Sequence, residues 1–382
     1  MVQYPSERSR PNKPGEIIEL RTCVKESRPY YFGYKIEESL IKKLREYEFD
    51  RLFFYTEKNL IESFGKSLFE SIRAEYPCEL TLLPSGEHCK HFPVLEKTLV
   101  DLTEKGASKK SMLIAFGGGT VGNLVGLSAG LLYRGVRFIE VPTSITGQSD
   151  NVLSNKQGIN GKNGKNHFGF YHAPLFVWGD TQYLATEPLN SKRSGIVEGI
   201  KNGFISDPDF LDYMENVLNP DVNYSDAELT DLVYRVILSK LPILQRDPTE
   251  RVYGAILEYG HTFGHALEWL MGGEMFHGEA ISHGLRIAAR LSRRLGLIDQ
   301  AVVERHDYLI VEKLGFSQPF PVGITAQKMI ETMRSDNKKT GPDLRFVLLK
   351  KTGECHNPEG DWLVTVDDAI VEEILEEFIG AK

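Results

Sequence analysis

Cysteine is scarce and scattered. Cys23, Cys78, Cys89 and Cys355 are the four in 382 residues, and no two of them form a C-x-x-C pair. That excludes a disulfide framework and a thiolate zinc site, and it suits a reducing cytosol. Positive charge is also in deficit: 45 Lys and Arg face 53 Asp and Glu, a formal net charge of −8. The balance argues against general nucleic-acid or membrane-surface binding, so any cationic cluster is local and suited to a small anion. The sequence shows no apolar run that could span a membrane, no leader pattern, no repeat and no low-complexity tract. The expectation is a cytoplasmic protein that meets neither membrane nor nucleic acid.

Hydrophobic residues make up 41% and charged residues 26%, the profile of a globular chain, and 382 residues are too many for one small core. Residues 1–15 are polar and rich in proline, and are expected to be a flexible tail. From 16 to 187 short β-rich runs alternate with amphipathic segments. RLFFYT (51–56), ELTLLP (79–84), SMLIAF (111–116), VRFIEVP (136–142) and LFVWGD (175–180) read as strands. Helical periodicity lies between them, which predicts a largely parallel sheet covered on both faces. From 188 to 382 helical patterns dominate, interrupted by one expected hairpin, LRFVLLKKTGE (344–354). The fold class is therefore α/β followed by a mainly α half.

Two stretches carry chemistry. The strand SMLIAF runs into GGGTVGN and a helical pattern, so Gly117, Gly119 and Gly122 satisfy G-x-G-x-x-G in a strand–turn–helix setting. Without side chains there, a pyrophosphate can approach backbone N–H groups and the positive end of the helix. A simple dinucleotide reading nominates Glu140, at the end of the next strand, for the ribose hydroxyls. The second stretch is ILEYGHTFGHALEWLMGGEMFHGEAI (256–281). Its apolar spacing predicts a helix beginning near Ile256, with His261 and His265 one turn apart on one face. His277 follows a Gly272–Gly273 turn and could fold back beside them. Neutral imidazoles gathered this way are ligands for a zinc-like ion, and Thr262 excludes the metalloprotease pattern H-E-x-x-H. Arg134, Lys156 with Asp150, Lys165, Lys201 and Lys240 sit among glycines and short polar residues, a placement suited to an anionic, oxygen-rich substrate.

Taken together, GGGTVGN, YRG, VPTS, the Asp150–Lys156 pair, GKN, VEGIKNG and GHTFGH…HG resemble, in order and spacing, the sugar phosphate cyclase superfamily, whose best-known member is 3-dehydroquinate synthase. The resemblance covers nearly the whole chain past the tail. It implies an N-terminal Rossmann-like NAD-binding α/β domain over 16–187 and a mainly helical metal and substrate domain over 188–382, in a homodimer. It implies one divalent ion, zinc or cobalt, on Glu198, His261 and His277, with His265 a pocket residue. An SGExxK match over Ser85–Lys90 moves the ribose role from Glu140 to Glu87, with Lys90 beside it. Gly118, Gly119, Thr143, Ser144, Lys156, Lys165, Asp180 and Thr181 complete the expected NAD contacts.

Within the superfamily, dehydroquinate synthases resemble RxxxNxGHT before the metal histidine, the Arg and Asn serving a substrate carboxylate. Here Gly254 and Glu258 stand at those positions. Losing a guanidinium and gaining an anion opposes a carboxylate, whereas Glu258 can accept hydrogen bonds from a neutral polyol. The EYGHT form, with Asn123 after the glycine loop, is similar to the cyclases that turn glucose 6-phosphate into the carbocycle of 2-deoxystreptamine antibiotics. The family chemistry so implied is transient oxidation at C4 by NAD, β-elimination of phosphate, re-reduction, ring opening and intramolecular aldol closure. Lys156, Lys201, Glu258, His265 and Asp150 are the expected catalytic residues. Arg134, Asp150, Lys165, Asn166, Lys201, Lys240, Glu258, His265 and Lys338 are expected to bind the sugar phosphate, Arg134 across a subunit boundary. The competing readings are a dehydroquinate synthase, a sedoheptulose 7-phosphate cyclase, a metal- and NAD-dependent alcohol dehydrogenase, and an inactive homologue kept as a binding partner.

Overall fold

The computed structural model describes residues 14–22, 28–162, 164–272, 274–335 and 343–380. The expected tail lies outside them up to residue 13, as do Cys23, Gly273 and Lys338. The described residues form two compact units, divided after Glu187. One exchange crosses that boundary: Tyr224–Arg235 group with the first unit, and the chain from Val236 onward with the second. Sequence patterning gave no sign of this, because the exchanged residues open an ordinary amphipathic helix, Asp226–Arg246. In the first unit Tyr234 stacks on Phe32, Asp226 accepts from the Tyr34 hydroxyl, and the Thr230 and Thr181 hydroxyls meet at 2.7 Å.

The first unit is built on β1 (Ile17–Thr22), β2 (Arg28–Gly33), β3 (Leu52–Glu57), β4 (Cys78–Leu83), β5 (Met112–Gly117), β6 (Arg137–Pro142) and β9 (Val177–Asp180). They form one sheet in the order β1-β2-β9-β6-β5-β3-β4, parallel except for β1 against β2. Successive β5 residues feed opposite faces. Met112, Ile114 and Phe116 enter one core with Phe54, Ile139 and Trp178, while Leu113 and Ala115 enter the other with Phe53, Tyr55 and Phe138. Burial on both sides explains why β3, β5, β6 and β9 read as near-continuous apolar runs.

A second, separate pair was not visible in the sequence: β7 (Lys156–Gly161) and β8 (Gly164–Tyr171), an antiparallel hairpin. Its glycines look like loop punctuation but serve close packing. A Cβ on Gly169 would stand 2.0 Å from the Gln157 carbonyl. The helix Gly119–Leu131 seats the hairpin with two further glycines one turn apart, since a Cβ on Gly126 would strike Gln157 and one on Gly130 would strike Phe170.

The second unit is mainly helical, and three of its helices carry the site: Leu189–Ser206, His261–Leu270 and His277–Arg294. The helix expected from Ile256 begins instead at His261. Residues Tyr253–Glu258 form a 3-10 turn, and Gly260 breaks the chain in a left-handed conformation, φ +75°. The expected hairpin at 344–354 is also two pairings: β10 (Arg345–Phe346) joins β13 (Val364–Thr365), and only β11 (Leu349–Lys351) with β12 (Glu354–Cys355) forms the local turn.

Candidate functional site

The three helices meet through glycine. A Cβ on Gly264 would fall 2.5 Å from Ile281 Cδ1, one on Gly284 would fall 2.1 Å from the Gly260 carbonyl, and one on Gly278 would fall 2.2 Å from Ser194 Cα. Those approaches bring Glu198, in mid-helix, to the first residues of the two others, His261 and His277. Glu198 Oε1 lies 3.5 Å from each imidazole Nε2, and one donor atom from each residue falls within 4.8 Å of the others. A tetrahedral ion with bonds of about 2.0–2.2 Å spaces its donors by roughly 3.3–3.6 Å, so the carboxylate–imidazole separations suit such an ion.

The electron pairs make the same point. His261 Nδ1 lies 3.2 Å from the Tyr259 carbonyl, which can only accept, so Nδ1 carries the hydrogen. Burial and the nearby Lys201 charge lower the His261 pKa, which leaves a neutral ring whose Nε2 lone pair faces Glu198. Glu198 is 2% exposed, and its Oε1 accepts no hydrogen bond. Burial opposes its charge, but Lys201 and then His261 outweigh it and hold the carboxyl well below the usual range. His277 Nδ1 sits 3.2 Å from Glu268 Oε2. Burial works against a charged imidazole here too, yet Glu198 and Glu268 together push His277 up to about 10. An ionised oxygen without a hydrogen-bond partner, faced by two imidazole nitrogens, calls for positive charge, which the His277 proton supplies until an ion replaces it. The donor set of one carboxylate and two imidazoles fits a divalent metal.

Lys201 is 2% exposed and donates to Glu198 Oε2 at 2.5 Å, so Glu198 offers one oxygen to the ammonium and the other to the imidazoles. Lys240 is buried on the neighbouring helix, next to Ser239, whose hydroxyl accepts from Asn202. The His265 ring stands 5.1 Å from that of His261 and 5.9 Å from that of His277, and joins Glu268 and His277 in a second converging group. Glu268, seven residues after His261 on the same helical face, was missed from the sequence, although the pattern HxxxHxxE carried the signal. At Gly254 a Cβ would meet Glu250 Cβ and Cγ at 2.9 Å, and the backbone N–H is already donated to Asp247 Oδ2 at 2.9 Å. Burial raises the Asp247 carboxyl, but backbone N–H groups of Gly254 and its neighbours more than compensate and hold it ionised. Two acidic side chains, Asp247 and Glu250, therefore lie beside Gly254, while the Arg246 guanidinium stacks on the neighbouring Tyr253 ring, 3.8 Å from its centroid.

In the first unit a narrow cleft is lined by Gly118, Gly119, Glu140, Asn151, Lys156 and neighbouring residues. Gly118 caps the helix Gly119–Leu131 with extended backbone, and a Cβ there would meet only Ser144 Oγ, at 3.6 Å. An open approach to a helix N-terminus is a cradle that a side chain would fill, and it fits the pyrophosphate of NAD. Thr143 is buried below, and Ser144 accepts from Gly147 N as the cap of the next helix, Ile145–Ser149. Asp150 closes that helix.

Two expected cofactor contacts need correction. Asp180 is fully buried, and its carboxylate accepts from Lys35 N, Ile36 N and both nitrogens of Gln182. The Thr181 hydroxyl donates to the Gly33 carbonyl at 3.3 Å and meets the Thr230 hydroxyl at 2.7 Å. Both side chains tie loops to the sheet and are not presented to a ligand. Glu87, Lys90, Lys165 and Asn166 are gathered instead. Glu87 accepts from Asn160 at 2.6 Å and pairs with Lys165 at 3.5 Å, while buried Lys90 donates to Asn166. Arg134 is not brought to this cleft. It is exposed, in a left-handed turn beyond the far end of a 13-residue helix, roughly 20 Å along from the glycine loop.

Glu140 lies beneath the loop, with its carboxyl 3.7 Å from a Cβ built on Gly122, and accepts from Gln157 at 2.9 Å. Burial pushes it up to about 7 from 4.5, Gln157 only partly opposing this. The raised value means the native state keeps its proton while the unfolded chain loses it, so stability falls as pH rises from 4.5 to 7. Glu140→Gln should therefore melt above the parent at pH 8, by the equivalent of roughly 3 kcal/mol, with the gap closing by pH 4.5. Melting curves across that range, without cofactor, check this; a gap independent of pH contradicts it.

Comparison with known proteins follows the same two-part layout. Residues 80–194 match the family model described as 3-dehydroquinate synthase N-terminal, and residues 195–339 the one described as 3-dehydroquinate synthase C-terminal. A 2-deoxy-scyllo-inosose synthase of Streptomyces kanamyceticus is 33% identical over 91% of this chain and 92% of its own. A 3-dehydroquinate synthase of Nitrosospira multiformis is 38% identical over a shorter span, 72% of this chain and 75% of its own. A crystal structure of 2-deoxy-scyllo-inosose synthase complexed with carbaglucose-6-phosphate, NAD+ and Co2+ superposes with a TM-score of 0.88 at 30% identity, covering 94% of this chain and all of that one.

Proposed function

The chain belongs to the 3-dehydroquinate synthase family, and from that premise we propose that it is a carbocycle-forming lyase of the 2-deoxy-scyllo-inosose synthase type. Its reaction converts glucose 6-phosphate into 2-deoxy-scyllo-inosose and phosphate, a step of aminoglycoside biosynthesis. The observation that carries the substrate choice is the pair Gly254 and Glu258, standing where dehydroquinate synthases have an Arg and an Asn. A carboxylated seven-carbon substrate would lose the guanidinium that dehydroquinate synthases place at 254 and face the charge of Glu258 instead, with Asp247 and Glu250 beside Gly254.

When bound, NAD supplies reversible hydride acceptance and the divalent ion supplies Lewis acidity at a sugar oxygen. The chain's residues hold and orient. Glu198, His261 and His277 hold the ion, and Lys201 neutralises the outer oxygen of Glu198 while offering its remaining N–H groups to substrate hydroxyls. Glu258 accepts hydrogen bonds from hydroxyls, and Lys240 adds a buried positive charge for the phosphate ester. His265 is the proton or phosphate partner beside the ligand imidazoles. Lys156 borders the glycine-loop cleft, and Asp150 ends the helix Ile145–Ser149 and positions a substrate hydroxyl or Lys156. Lys165 and Asn166 near the hairpin turn bind phosphate and hydroxyl oxygens. Lys338 completes that set by family resemblance.

Arg134, too far from its own cleft, serves the neighbouring subunit of a homodimer. The apolar surface beside it supports this, with Leu131 48% and Tyr133 40% exposed. We place the enzyme in the cytoplasm, and none of its described helices is long and apolar enough to cross a membrane.

Purified protein with Co2+ and catalytic NAD should release phosphate from glucose 6-phosphate without accumulating NADH, and should elute at twice the 43.2 kDa chain mass. Release mainly from the seven-carbon shikimate precursor or from sedoheptulose 7-phosphate overturns the substrate assignment. Steady NADH accumulation with an alcohol substrate overturns the lyase itself.

A further inference from the structure

One carboxylate near the metal ligands has no place in the chemistry above. Glu268 is 6% exposed, on the face of helix His261–Leu270 that also carries His261 and His265. Its Oε2 lies 3.2 Å from Nδ1 of His277, while Nε2 of the same ring points at Glu198 Oε1, 3.5 Å away. One imidazole is thus held between two carboxylates by its two nitrogens. The companion ligand His261 has its Nδ1 on the Tyr259 carbonyl, a fixed backbone group two residues away. His277 lacks such an internal support. It follows the connection 271–276, in which Gly272 is left-handed, and its side chain is 35% exposed against 10% for His261.

We propose that Glu268 is a positioning residue for the ion: it accepts the Nδ1–H of His277 and so turns the Nε2 lone pair toward Glu198 and His261. A ligating imidazole whose second nitrogen donates to a carboxylate has its tautomer and ring angle fixed, and it becomes a stronger donor. Glu268 does not itself ligate. The convergence of His265, Glu268 and His277 within 4.8 Å is a consequence of this support, because a single His277 ring cannot turn both nitrogens to one ion.

The proposal rests on the metal reading, and the test separates the two. Co2+ affinity is measured by chelator competition, with the visible spectrum of bound Co2+ as a second readout, in the parent, His277→Ala, Glu268→Ala and Glu268→Gln. Should alanine at 268 prevent folding, Glu268→Met, which fills the volume without an acceptor, is read in its place. Glu268→Ala should bind Co2+ about 10–100-fold more weakly with an altered spectrum, and Glu268→Gln, which keeps an acceptor oxygen, should stay within about threefold of the parent. A parent that binds no Co2+, or a His277→Ala variant that binds it as tightly as the parent, overturns the metal reading. With that reading intact, Glu268→Ala binding within twofold of the parent overturns the proposal. So does an equal loss in Glu268→Gln, which would make Glu268 a ligand or a source of charge.

Discussion

Glutamine at Glu198 is expected to give a chain that retains neither cobalt nor zinc through dialysis and releases phosphate from glucose 6-phosphate at least ~1000-fold more slowly, a barrier increase of about 4 kcal/mol. Glutamine is chosen over alanine because Lys201 is buried against Glu198 at 2.5 Å. Deleting the partner outright would strand a buried ammonium, and losses of about 3–5 kcal/mol in stability are usual for that. The amide keeps an acceptor for Lys201 and nearly the same volume while removing the charge that draws the ion. Some thermal stability should still be lost, so the measurement needs a companion that spares Lys201. His277→Ala is that companion: its ring faces Glu198 and Glu268, and its removal leaves the Lys201–Glu198 pair in place. Metal analysis and phosphate release are read on both variants. Full metal content with unchanged turnover in either would end the assignment of these residues as ligands.

What the sequence revealed, and what it hid, follows from how each feature is encoded. β3, β5, β6 and β9 are continuous apolar runs because both faces are covered, so they could be read directly, whereas the edge strand β4 was legible although it is partly exposed. The glycine loop was equally plain, since its function is the absence of side chains at fixed offsets after a strand. The hairpin β7–β8 was hidden because its glycines, Gly158 and Gly169 among them, let its own two strands approach. Gln157 and Phe170 pack on the helix at Gly126 and Gly130, and none of this is a local turn signal. The helix start at His261 was hidden for a related reason: apolar spacing continues through Ile256 and Leu257, and only the left-handed Gly260 marks the break. In the site, His261 and His265 announced themselves by spacing. Glu198 did not, because its convergence depends on helix contacts at Gly278, Gly264 and Gly284 that no local pattern encodes; family resemblance alone supplied it. Asp180 and Thr181 show the opposite failure. The family resemblance named both for the cofactor, and in this structure the Asp180 carboxylate is occupied by the backbone amides of Lys35 and Ile36.

Valine at Gly118 should abolish function from the other unit, and its value lies in what it leaves intact. A Cβ at Gly118 has Ser144 Oγ as its nearest neighbour at 3.6 Å, an ordinary contact, and φ is −72°, which any residue adopts. The folded chain should therefore accept the side chain. The flanking glycines offer no such test: a Cβ on Gly117 would stand 2.6 Å from Val121, and one on Gly119 would stand 2.7 Å from the Asn151 amide. Substitution there disturbs the protein before any ligand arrives. In Gly118→Val the branched side chain stands at the helix N-terminus, where a pyrophosphate must come within hydrogen-bond distance of backbone N–H groups. NAD affinity should fall by at least ~100-fold, about 2.7 kcal/mol, and phosphate release should fall with it. The melting temperature without NAD and the Co2+ content should match the parent. Calorimetric NAD titration decides the matter. An unchanged affinity would remove the glycine loop from the cofactor site, and an apo chain that melts well below the parent would show that the space at Gly118 belongs to folding rather than to a ligand.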